Sequence, residues 1–377
     1  MDMEDVIGVH AIIQFILIAI LFIPLIYWYR LNKNNSDLKD LIDVKNSRFS
    51  ICIILPMRNE EVNVKRKLSS IISEINNYER VELIVADSNS SDDTYALAKE
   101  FLKKSDLDNS RWKIMNFEIP GKNVAINGVL ETINSEIVVI SDADANVKSG
   151  WMEVVLSRFE EEDIGVISGM EVVKESENKK FNSYYRSNSN ILRIKESFID
   201  STPVLEGSLL AWKSSAMTNL KLNENMNADD AQIGLFSIRN GYRSIIDSRI
   251  VFEDFEGSVR TFSESVRRSQ GLSMALIKNA DLAIINKRKL AKKAIFNAIF
   301  LYVIFPWAVL LYCINSAIAF TINPIISSSW EFYSIISIFV ILLTNQGRSL
   351  FMGCLISIVA HLQVIIGKRY NNWEPIR

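Results

Sequence analysis

The hydrophobic positions divide the chain into two apolar ends and a middle part of mixed character. Residues 11–29 carry no charge, and a helix of that length rises about 28 Å, close to the hydrocarbon thickness of a bilayer. A second uncharged run covers residues 294–330, and further apolar runs cover 333–343 and 349–367. The pattern predicts an N-terminal membrane anchor in residues 1–30, a linker in 31–48, one domain in 49–290, and a C-terminal membrane region in 291–377 with two or three apolar helices.

The charges beside the first apolar run indicate which side of a membrane the middle domain occupies. Asp2, Glu4 and Asp5 precede the run, whereas Arg30 and Lys33 follow it. Because basic flanks stay in the cytoplasm, we expect a multi-pass protein of the cell membrane with a cytoplasmic middle domain. The basic C-terminal segment favours an even number of crossings after that domain. A cleaved signal peptide is the alternative, but it needs a basic start and small residues at the cleavage site.

The middle domain alternates between strand-like and helix-like segments. In order, the pattern predicts a strand over 49–55 closed by Pro56, a helix over 60–75, a strand that ends at Asp87 and a helix that begins at Thr94. This alternation is typical of an α/β domain with a mainly parallel sheet. Ligands of such sheets bind outside the carboxyl ends of the strands, where Asn59, Asp87, Asp142 and Asp144 all fall.

Composition excludes several classes of function. The net charge of −2 gives no general reason to expect a nucleic acid as partner. The cysteines, Cys52, Cys313 and Cys354, lack metal-binding spacing and do not form a disulfide framework. The histidines, His10 and His361, lie in or beside apolar runs, so the middle domain has no histidine for a catalytic base or a zinc site.

Two carboxylates follow a buried strand predicted over residues 137–141. Side chains two residues apart on a strand point the same way, so Asp142 and Asp144 can hold one divalent cation, and Mg²⁺ or Mn²⁺ suits such oxygen ligands. A solvated turn is the alternative. A calcium loop needs glycine where Val147 stands, and Asn146 spoils the match to a phosphatase motif with an aspartate nucleophile.

Four motifs occur in a fixed order, and together they resemble a known family. They are PMRNEE at 56–61, DSNSSDDT at 87–94, GKNVAIN at 121–127 and DAD at 142–144. In this order and spacing they are similar to the donor-binding half of the family 2 glycosyltransferases, which have the nucleotide-sugar-binding GT-A fold. Asp87, Asp92 and Thr94 match the family's second motif, whereas Ser88 replaces an aspartate. The resemblance covers about residues 50–275 and implies an inverting hexosyl transfer from a nucleotide sugar.

The resemblance implies a donor site and a metal site. Glu60 and Asp87 would accept hydrogen bonds from the base and ribose of the donor, and Lys122 would approach the diphosphate or the base. The alternatives are a helix N-terminal carboxylate for Glu60 and a surface lysine for Lys122. Asp142 and Asp144 would hold Mn²⁺ or Mg²⁺. The full set of donor-binding candidates is Pro56, Arg58, Glu60, Asp87, Lys122, Asp142, Arg267 and Arg268.

A second half of the resemblance implies a catalytic base. In the stretch at 226–243, Asp230 is followed eleven residues later by Gly241 and then by Tyr242, as in the T-E-D motif of the family. Asp230 then matches the general base, and Asp229 stands where the family has glutamate. The alternative is that both aspartates stabilise the start of a helix predicted over 231–240.

Two further stretches match the family less closely. In TFSESVRRSQGL at 261–272, Arg267 takes the arginine place of the Q-x-x-R-W motif, while Glu264 and Arg268 replace its glutamine and tryptophan. The arginine would pair with the diphosphate, and a basic helix on anionic lipid is the alternative. The stretch EGSLLAWK at 206–213 resembles the loop under the acceptor and gives Glu206, Gly207 and Trp212 as candidates.

The resulting hypothesis is a membrane-anchored, metal-dependent glycosyltransferase that uses a UDP- or GDP-sugar and a lipid or lipid-linked acceptor. A processive polysaccharide synthase is the first alternative, although it needs more membrane helices and an intact Q-x-x-R-W motif. A nucleotidyltransferase is disfavoured, because PMRNEE lacks the glycines of a phosphate loop. A membrane adaptor that has lost catalysis is disfavoured by the joint presence of Asp87, Asp142, Asp144 and Asp230.

Overall fold

The computed structural model describes residues 3–33, 40–41, 49–172, 180–254, 261–322 and 330–368. Most of the predicted linker at 31–48 and the end of the basic C-terminal segment therefore lie outside the described residues. The described strands are β1 (Ile51–Met57), β2 (Val81–Asp87), β3 (Trp112–Asn116), β4 (Ile137–Ser141), β5 (Ala145–Val147), β6 (Ile164–Glu171), β7 (Leu209–Lys213) and β8 (Arg243–Asp254).

Helices surround this sheet and form the first and last elements of the described part of the chain. They are α1 (Met3–Leu21), α2 (Ile23–Asn32), α3 (Val64–Ile75), α4 (Thr94–Lys104), α5 (Lys122–Leu130), α6 (Trp151–Phe159), α7 (Lys180–Ile199), α8 (Asp229–Arg239), α9 (Phe262–Lys278), α10 (Leu282–Ile285), α11 (Lys289–Ile299), α12 (Phe305–Ile322), α13 (Trp330–Leu343) and α14 (Asn345–Ile365).

The sheet is mixed, and its first half is the predicted parallel unit. The strand order is β3-β2-β1-β4-β7-β6-β8-β5. The pairs among β3, β2, β1 and β4 are parallel, as is the pair β6–β8. Strand β7 runs antiparallel to both β4 and β6, and β5 runs antiparallel to β8. The prediction of an α/β domain is confirmed, while the second half of the sheet adds antiparallel strands that the sequence pattern did not indicate.

Burial explains the strands at the centre of the sheet. Every residue of β1 and β4 is buried, because helices cover both faces of the sheet. Strand β1 runs through Pro56 instead of ending before it. It pairs with β4 only as far as Ile54, so beyond that residue one edge of β1 is open, and a residue without an N–H is tolerated.

Helix α3 begins at Val64, four residues later than predicted. The backbone N–H of Glu60 donates to Oγ1 of Thr94 at 2.7 Å, and that of Glu61 donates to Oδ2 of Asp92 at 3.2 Å. These bonds hold the preceding residues against the loop that follows β2, and a turn over 60–63 precedes the first helical residue. The loop after β1 is therefore shaped by its neighbour in space rather than by helix propensity.

Among the described residues, three helical segments are long and apolar enough to cross a membrane: Gly8–Asn32, Lys289–Ile322 and Asn345–Ile365. The second is continuous through α11 and α12, with a π-helical turn at Phe300–Ile304 between them. Between the second and third segments lies the shorter apolar α13. The expected membrane helices thus flank the domain on both sides.

Polar contacts show which ends of these segments lie against the domain. The hydroxyl of Tyr27 donates to Oε1 of Glu196 in α7 at 2.9 Å. Near the other end of the chain, Nε2 of His361 lies 3.0 Å from Oγ of Ser273 in α9. Helix α2 and the final part of α14 therefore contact the domain.

The opposite ends of two segments contact each other. Nδ1 of His10 lies 2.7 Å from Oδ1 of Asn315, and Nε2 of Gln14 donates to Oγ of Ser316 at 2.7 Å. The Nδ2 group of Asn315 also donates to Oε1 of Gln14 at 2.7 Å. Because these side chains satisfy one another, α1 and α12 can pack side by side in an apolar medium.

Candidate active site

The polar loops that follow β1 and β2 are joined by side-chain hydrogen bonds. Oδ1 of Asn59 accepts a hydrogen bond from the backbone N–H of Ser91 at 2.8 Å. Asn59 has a φ of 54°, in the left-handed region that asparagine tolerates better than most residues. Asp87, at the end of β2, is buried and accepts from Oγ of Ser90 at 2.6 Å. The predicted donor residues after these two strands thus belong to one connected surface.

Ser88, which replaces an aspartate of the family motif, joins the second motif to the third. Its hydroxyl oxygen accepts a hydrogen bond from the backbone N–H of Gly121 at 2.8 Å, and Ser88 is fully buried. This bond holds the residue that immediately precedes Lys122 at the start of α5. The replacement therefore has a structural role in this chain.

Lys122 lies between two carboxylates from different parts of the fold. Its Nζ is 2.7 Å from Oδ1 of Asp142, after β4, and 2.9 Å from Oδ2 of Asp229, at the start of α8. Burial lowers the pKa of Lys122, but the two aspartates outweigh burial and raise the pKa above its usual value. Lys122 is thus a half-buried, ion-paired ammonium and not the surface lysine of the alternative interpretation.

Two asparagines of the same motif hold α5 against the loop that leads to Asp229. Nδ2 of Asn123 donates to the carbonyl oxygen of Met226 at 2.8 Å, and Nδ2 of Asn127 donates to that of Leu222 at 2.9 Å. Their spacing of four residues places both on one helix face. Both asparagines belong to the motif at 121–127, but no role was predicted for either of them.

Asp142 and Asp144 lie in a turn and not on a strand. Strand β4 ends at Ser141 and β5 begins at Ala145, so the argument that both side chains point the same way along a strand was wrong. Asp142 is half-buried, and its backbone N–H donates to the carbonyl oxygen of Ser208 at 3.2 Å, while Asp144 is exposed. The turn still places both carboxylates at the carboxyl edge of β4.

Asp229 and Asp230 occupy the first turn of α8, where the helix dipole favours negative charge. Burial and the charge of Asp229 raise the pKa of Asp230 well above its usual range, although the N–H of Ala231, which donates to Oδ1 at 2.7 Å, opposes the shift. Helix stabilisation and proton acceptance are therefore compatible at Asp230. The raised pKa makes it a stronger base than an ordinary aspartate.

Gly207 and Glu206 lie beside this base. A Cβ at Gly207 would sit 3.7 Å from Oδ2 of Asp230, so the loop before β7 borders the carboxylate. Glu206 forms an ion pair with Arg193 of α7, a residue that the sequence analysis did not single out. The predicted acceptor-side loop therefore adjoins the predicted base, and Glu206 pairs it with a cation of α7 that no motif marked.

The structure does not bring Trp212 to this site. It lies within β7, is 1% exposed, and packs in the core between the sheet and its helices. Successive residues of a strand face opposite sides of the sheet, and buried residues cover both sides of β7. Trp212 is therefore a packing residue, whichever side it faces. The assignment of Trp212 to the acceptor side is corrected accordingly.

Glu60 lies close to the other carboxylates. Burial raises its pKa to about 7, and the charges of Asp144 and Asp142 add to the increase, while a hydrogen bond from Asn63 opposes it. Glu60 precedes the first residue of α3 by four positions. It therefore belongs to the carboxylate group at the sheet edge.

Helix α9 packs closely on the loop that leads to Asp229. A Cβ at Gly271 would approach the carbonyl oxygen of Asn227 to 2.7 Å, so only glycine allows this contact without a shift of the backbone. Glu264 forms a capping box with Thr261 at the start of the helix. Arg267, one turn before Gly271, is half-buried, and Arg268 is exposed.

The carboxylates fit a small divalent cation of the kind that shares its ligands with a phosphate. In the described part of the chain, no group of three or more histidine, cysteine, aspartate or glutamate residues is placed to hold a metal. Asp142 and Asp144 offer oxygen atoms only, and Mg²⁺ is commonly held by one or two carboxylates plus substrate phosphates. Oδ1 of Asp142 already accepts a cationic partner in Lys122.

Comparison with known proteins finds a family model that matches part of the chain. Residues 52–215 match the family described as Glycosyl transferase family 2. The curated relatives include a probable glycosyltransferase of Bacillus subtilis, 28% identical over 124 residues, which are 32% of this chain and 29% of that protein. A beta-monoglucosyldiacylglycerol synthase of Trichormus variabilis is 28% identical over 120 residues, 31% of this chain and 25% of that protein. The chain thus spans less than a third of the length of these two relatives.

A solved structure shows the same fold over almost the whole chain. A mannosyltransferase of Pyrobaculum calidifontis, solved in complex with GDP-Man and Mn²⁺, superposes with a TM-score of 0.78 at 21% identity. The superposition covers 95% of this chain and 100% of that one, so the shared fold includes the apolar helices as well as the sheet.

We expect Lys122→Met to destabilise the protein by about 2–4 kcal/mol, because it leaves Asp142 and Asp229 facing each other without a cation. Thermal or denaturant unfolding in detergent measures the loss. The matched control is the double variant Lys122→Met/Asp229→Asn, which removes one of the two charges and should recover part of the lost stability. Equal stability of wild type and Lys122→Met would show that the ion bridge contributes nothing to the fold.

Proposed function

We propose a function for this chain from one premise: it carries a Glycosyl transferase family 2 domain with the GT-A fold. The chain transfers a hexosyl group from a nucleotide sugar to a hydroxyl oxygen of a lipid or lipid-linked acceptor, with inversion at the anomeric carbon. The observation that carries this proposal is the position of Lys122 between Asp142 and Asp229. That bridge unites the donor motifs with the residue next to Asp230 in one site.

On the donor side, the residues after β1 and β2 bind the nucleoside. Carboxylates accept hydrogen bonds from the N–H and O–H groups of a base and a ribose, which suits Glu60 and Asp87. Pro56 and Arg58 border the same loop. Lys122 neutralises the diphosphate. Arg267 and Arg268 of α9 add positive charge from the side of the site on which the catalytic base, Asp230, lies. The donor is a UDP- or GDP-sugar.

Asp142 and Asp144 are the residues that would hold Mn²⁺ or Mg²⁺. When bound, such a cation supplies positive charge against the negative charge that develops on the leaving diphosphate. Support comes from the oxygen-only donor set at the end of β4 and from the fold shared with a mannosyltransferase whose structure contains Mn²⁺. The chain's own contribution is to keep both carboxylates at this edge of the sheet, next to Lys122.

On the acceptor side, Asp230 takes the proton of the acceptor oxygen as the new bond forms. Its raised pKa suits this role, because a base whose pKa lies closer to the working pH accepts a proton more readily. Asp229 and Glu206 keep the environment of Asp230 negative, and Gly207 leaves room beside its carboxylate. A single direct displacement with one base gives inversion.

The acceptor is proposed to be a lipid because apolar helices adjoin the site. A catalytic domain fixed at the membrane surface meets membrane-bound acceptors at a high effective concentration. Two crossings after the domain fit the contacts, since α12 leaves it and the final part of α14 returns to α9. Together with Arg30 and Lys33 at the end of α2, these contacts support a cytoplasmic position for the domain, residues 49–290. The lipid acceptor of the Trichormus variabilis relative is consistent with this proposal.

Calorimetric titration of the purified protein in detergent with UDP and GDP, in the presence of Mn²⁺, Mg²⁺ or chelator, tests the donor site. We expect metal-dependent binding of one nucleotide, and its loss by about tenfold or more in Asp144→Ala, because one charged ligand is removed. Asp106→Ala, an exposed aspartate after α4, is the control and should bind like wild type. Nucleotide binding that stays tight in the presence of chelator and in the Asp144→Ala variant would refute the metal site.

Replacing the base separates transfer from donor binding. Asp230→Asn should lower sugar transfer to a membrane lipid extract by about a hundredfold or more while nucleotide affinity stays within about twofold of wild type. Because the base must be deprotonated and its pKa is raised, the wild-type rate should increase with pH through a value above about 3.9, the ordinary pKa of aspartate. Unchanged turnover in Asp230→Asn would remove it from the mechanism.

A further inference from the structure

A lysine occupies the apolar face of α3, where the hydrophobic pattern calls for an aliphatic side chain. Lys67 lies three residues after Val64 and four before Ile71, and both of these neighbours are buried in the core. Lys67 itself is 1% exposed. Lysine is almost never fully buried unless its charge has partners, because removal of an ammonium from water costs several kcal/mol. Packing alone therefore does not explain why a lysine occupies this buried position.

The ammonium of Lys67 donates to the two residues that flank the D-A-D turn. Its Nζ donates to Oγ of Ser141 at 2.8 Å and to the carbonyl oxygen of Ala145 at 2.8 Å. Ser141 immediately precedes Asp142, and Ala145 immediately follows Asp144. One buried side chain therefore spans the ends of the turn.

Ser141 extends this contact to the acceptor-side loop. Its hydroxyl donates to the carbonyl oxygen of Ser208 at 2.9 Å, and the same carbonyl accepts from the backbone N–H of Asp142 at 3.2 Å. Ser208 follows Gly207, which borders Asp230. A chain of hydrogen bonds thus runs from Lys67 through the turn to the loop beside the base.

The charge of Lys67 also acts on the turn. Burial lowers the pKa of Lys67 to about 8, and the carboxylates of Asp142 and Asp144 act against this decrease. The same interaction, seen from the carboxylates, opposes their mutual repulsion. The lysine thus combines two directed hydrogen bonds with a counter-charge beneath the turn.

We propose that Lys67 is a positioning residue of the metal–nucleotide site, which holds the turn between Ser141 and Ala145 in the conformation that presents Asp142 and Asp144 together. This inference rests on the proposed function, because it assumes that the two aspartates bind a metal–nucleotide complex. Lys67 itself touches neither carboxylate group in the hydrogen bonds described and acts through the backbone and hydroxyl groups beside them.

The test compares Mn²⁺-dependent binding of UDP and GDP in wild type and Lys67→Met by calorimetry in detergent. Methionine keeps the unbranched stem and removes the ammonium. We expect the Kd of the bound nucleotide with Mn²⁺ to increase about tenfold or more, the effect of losing a hydrogen bond to a charged group. Circular dichroism and thermal unfolding establish that the variant is folded.

Glu74→Gln is the matched control, because Glu74 is the other buried charged residue of α3. Its carboxylate accepts from the backbone N–H groups of Gly150 and Met152 at the start of α6, away from the D-A-D turn. It should lose stability while its nucleotide Kd stays within about twofold of wild type. A folded Lys67→Met with wild-type Kd, or an equal increase of Kd in both variants, would overturn the proposal.

Ser141→Ala provides a second test that does not depend on the folding of Lys67→Met. It removes one acceptor of the ammonium and leaves the charge in place, so we expect the Kd to increase about threefold to tenfold. An unchanged Kd in folded Ser141→Ala would count against the proposal. If wild type itself binds neither nucleotide with Mn²⁺, the proposed function fails first, and the inference about Lys67 fails with it.

Discussion

The site depends on one interaction, the ion bridge in which the ammonium of Lys122 lies between Asp142 and Asp229. These residues come from α5, from the turn after β4 and from the start of α8, and two carboxylates so close would repel each other without a cation. Electrostatics therefore couples the first half of the sheet to the helix that carries Asp230. Under the proposed function, a diphosphate and a cation that bind here meet charges that are already arranged for them.

The surrounding structure keeps that bridge in register through neutral hydrogen bonds. Ser88 holds Gly121 in place. The side chains of Asn123 and Asn127 hold the loop before α8, and Gly271 permits α9 to approach the same loop. None of these residues is charged, so they position the site without changing its charge balance. Lys67 positions the D-A-D turn from beneath in a similar way, but it does so with a buried charged side chain instead of a neutral one.

Much of the first half of the fold could be predicted from the sequence, because its signals are local. The continuous β-branched run before Asp142 gave β4, and the apolar spacing gave most of α3. The strands β6, β7 and β8 escaped prediction, because no local pattern shows that β7 runs antiparallel to both β4 and β6, its partners in the sheet. Trp212 was misplaced because a motif-like stretch does not show which face of a strand is covered.

The residues of the candidate site divide in the same way, into those that a motif marks and those that no motif marks. Asp87, Lys122, Asp142 and Asp230 were predicted because motifs keep their spacing, whereas Arg193 and Lys67 were not singled out because no neighbouring residue marks them. Lys67 did carry a signal, a cation on an apolar helix face, but its purpose depends on the turn between β4 and β5. Such a contact between segments more than seventy residues apart becomes visible only in three dimensions.

The most direct test of the whole account is anomalous diffraction from crystals of the protein grown with Mn²⁺ and the nucleoside diphosphate that it binds. The account predicts a manganese peak at the carboxylates of Asp142 and Asp144, with the diphosphate against Lys122 and the open side of the complex facing Asp230. A nucleotide bound at this edge of the sheet without manganese at those carboxylates, or bound elsewhere on the protein, would contradict it.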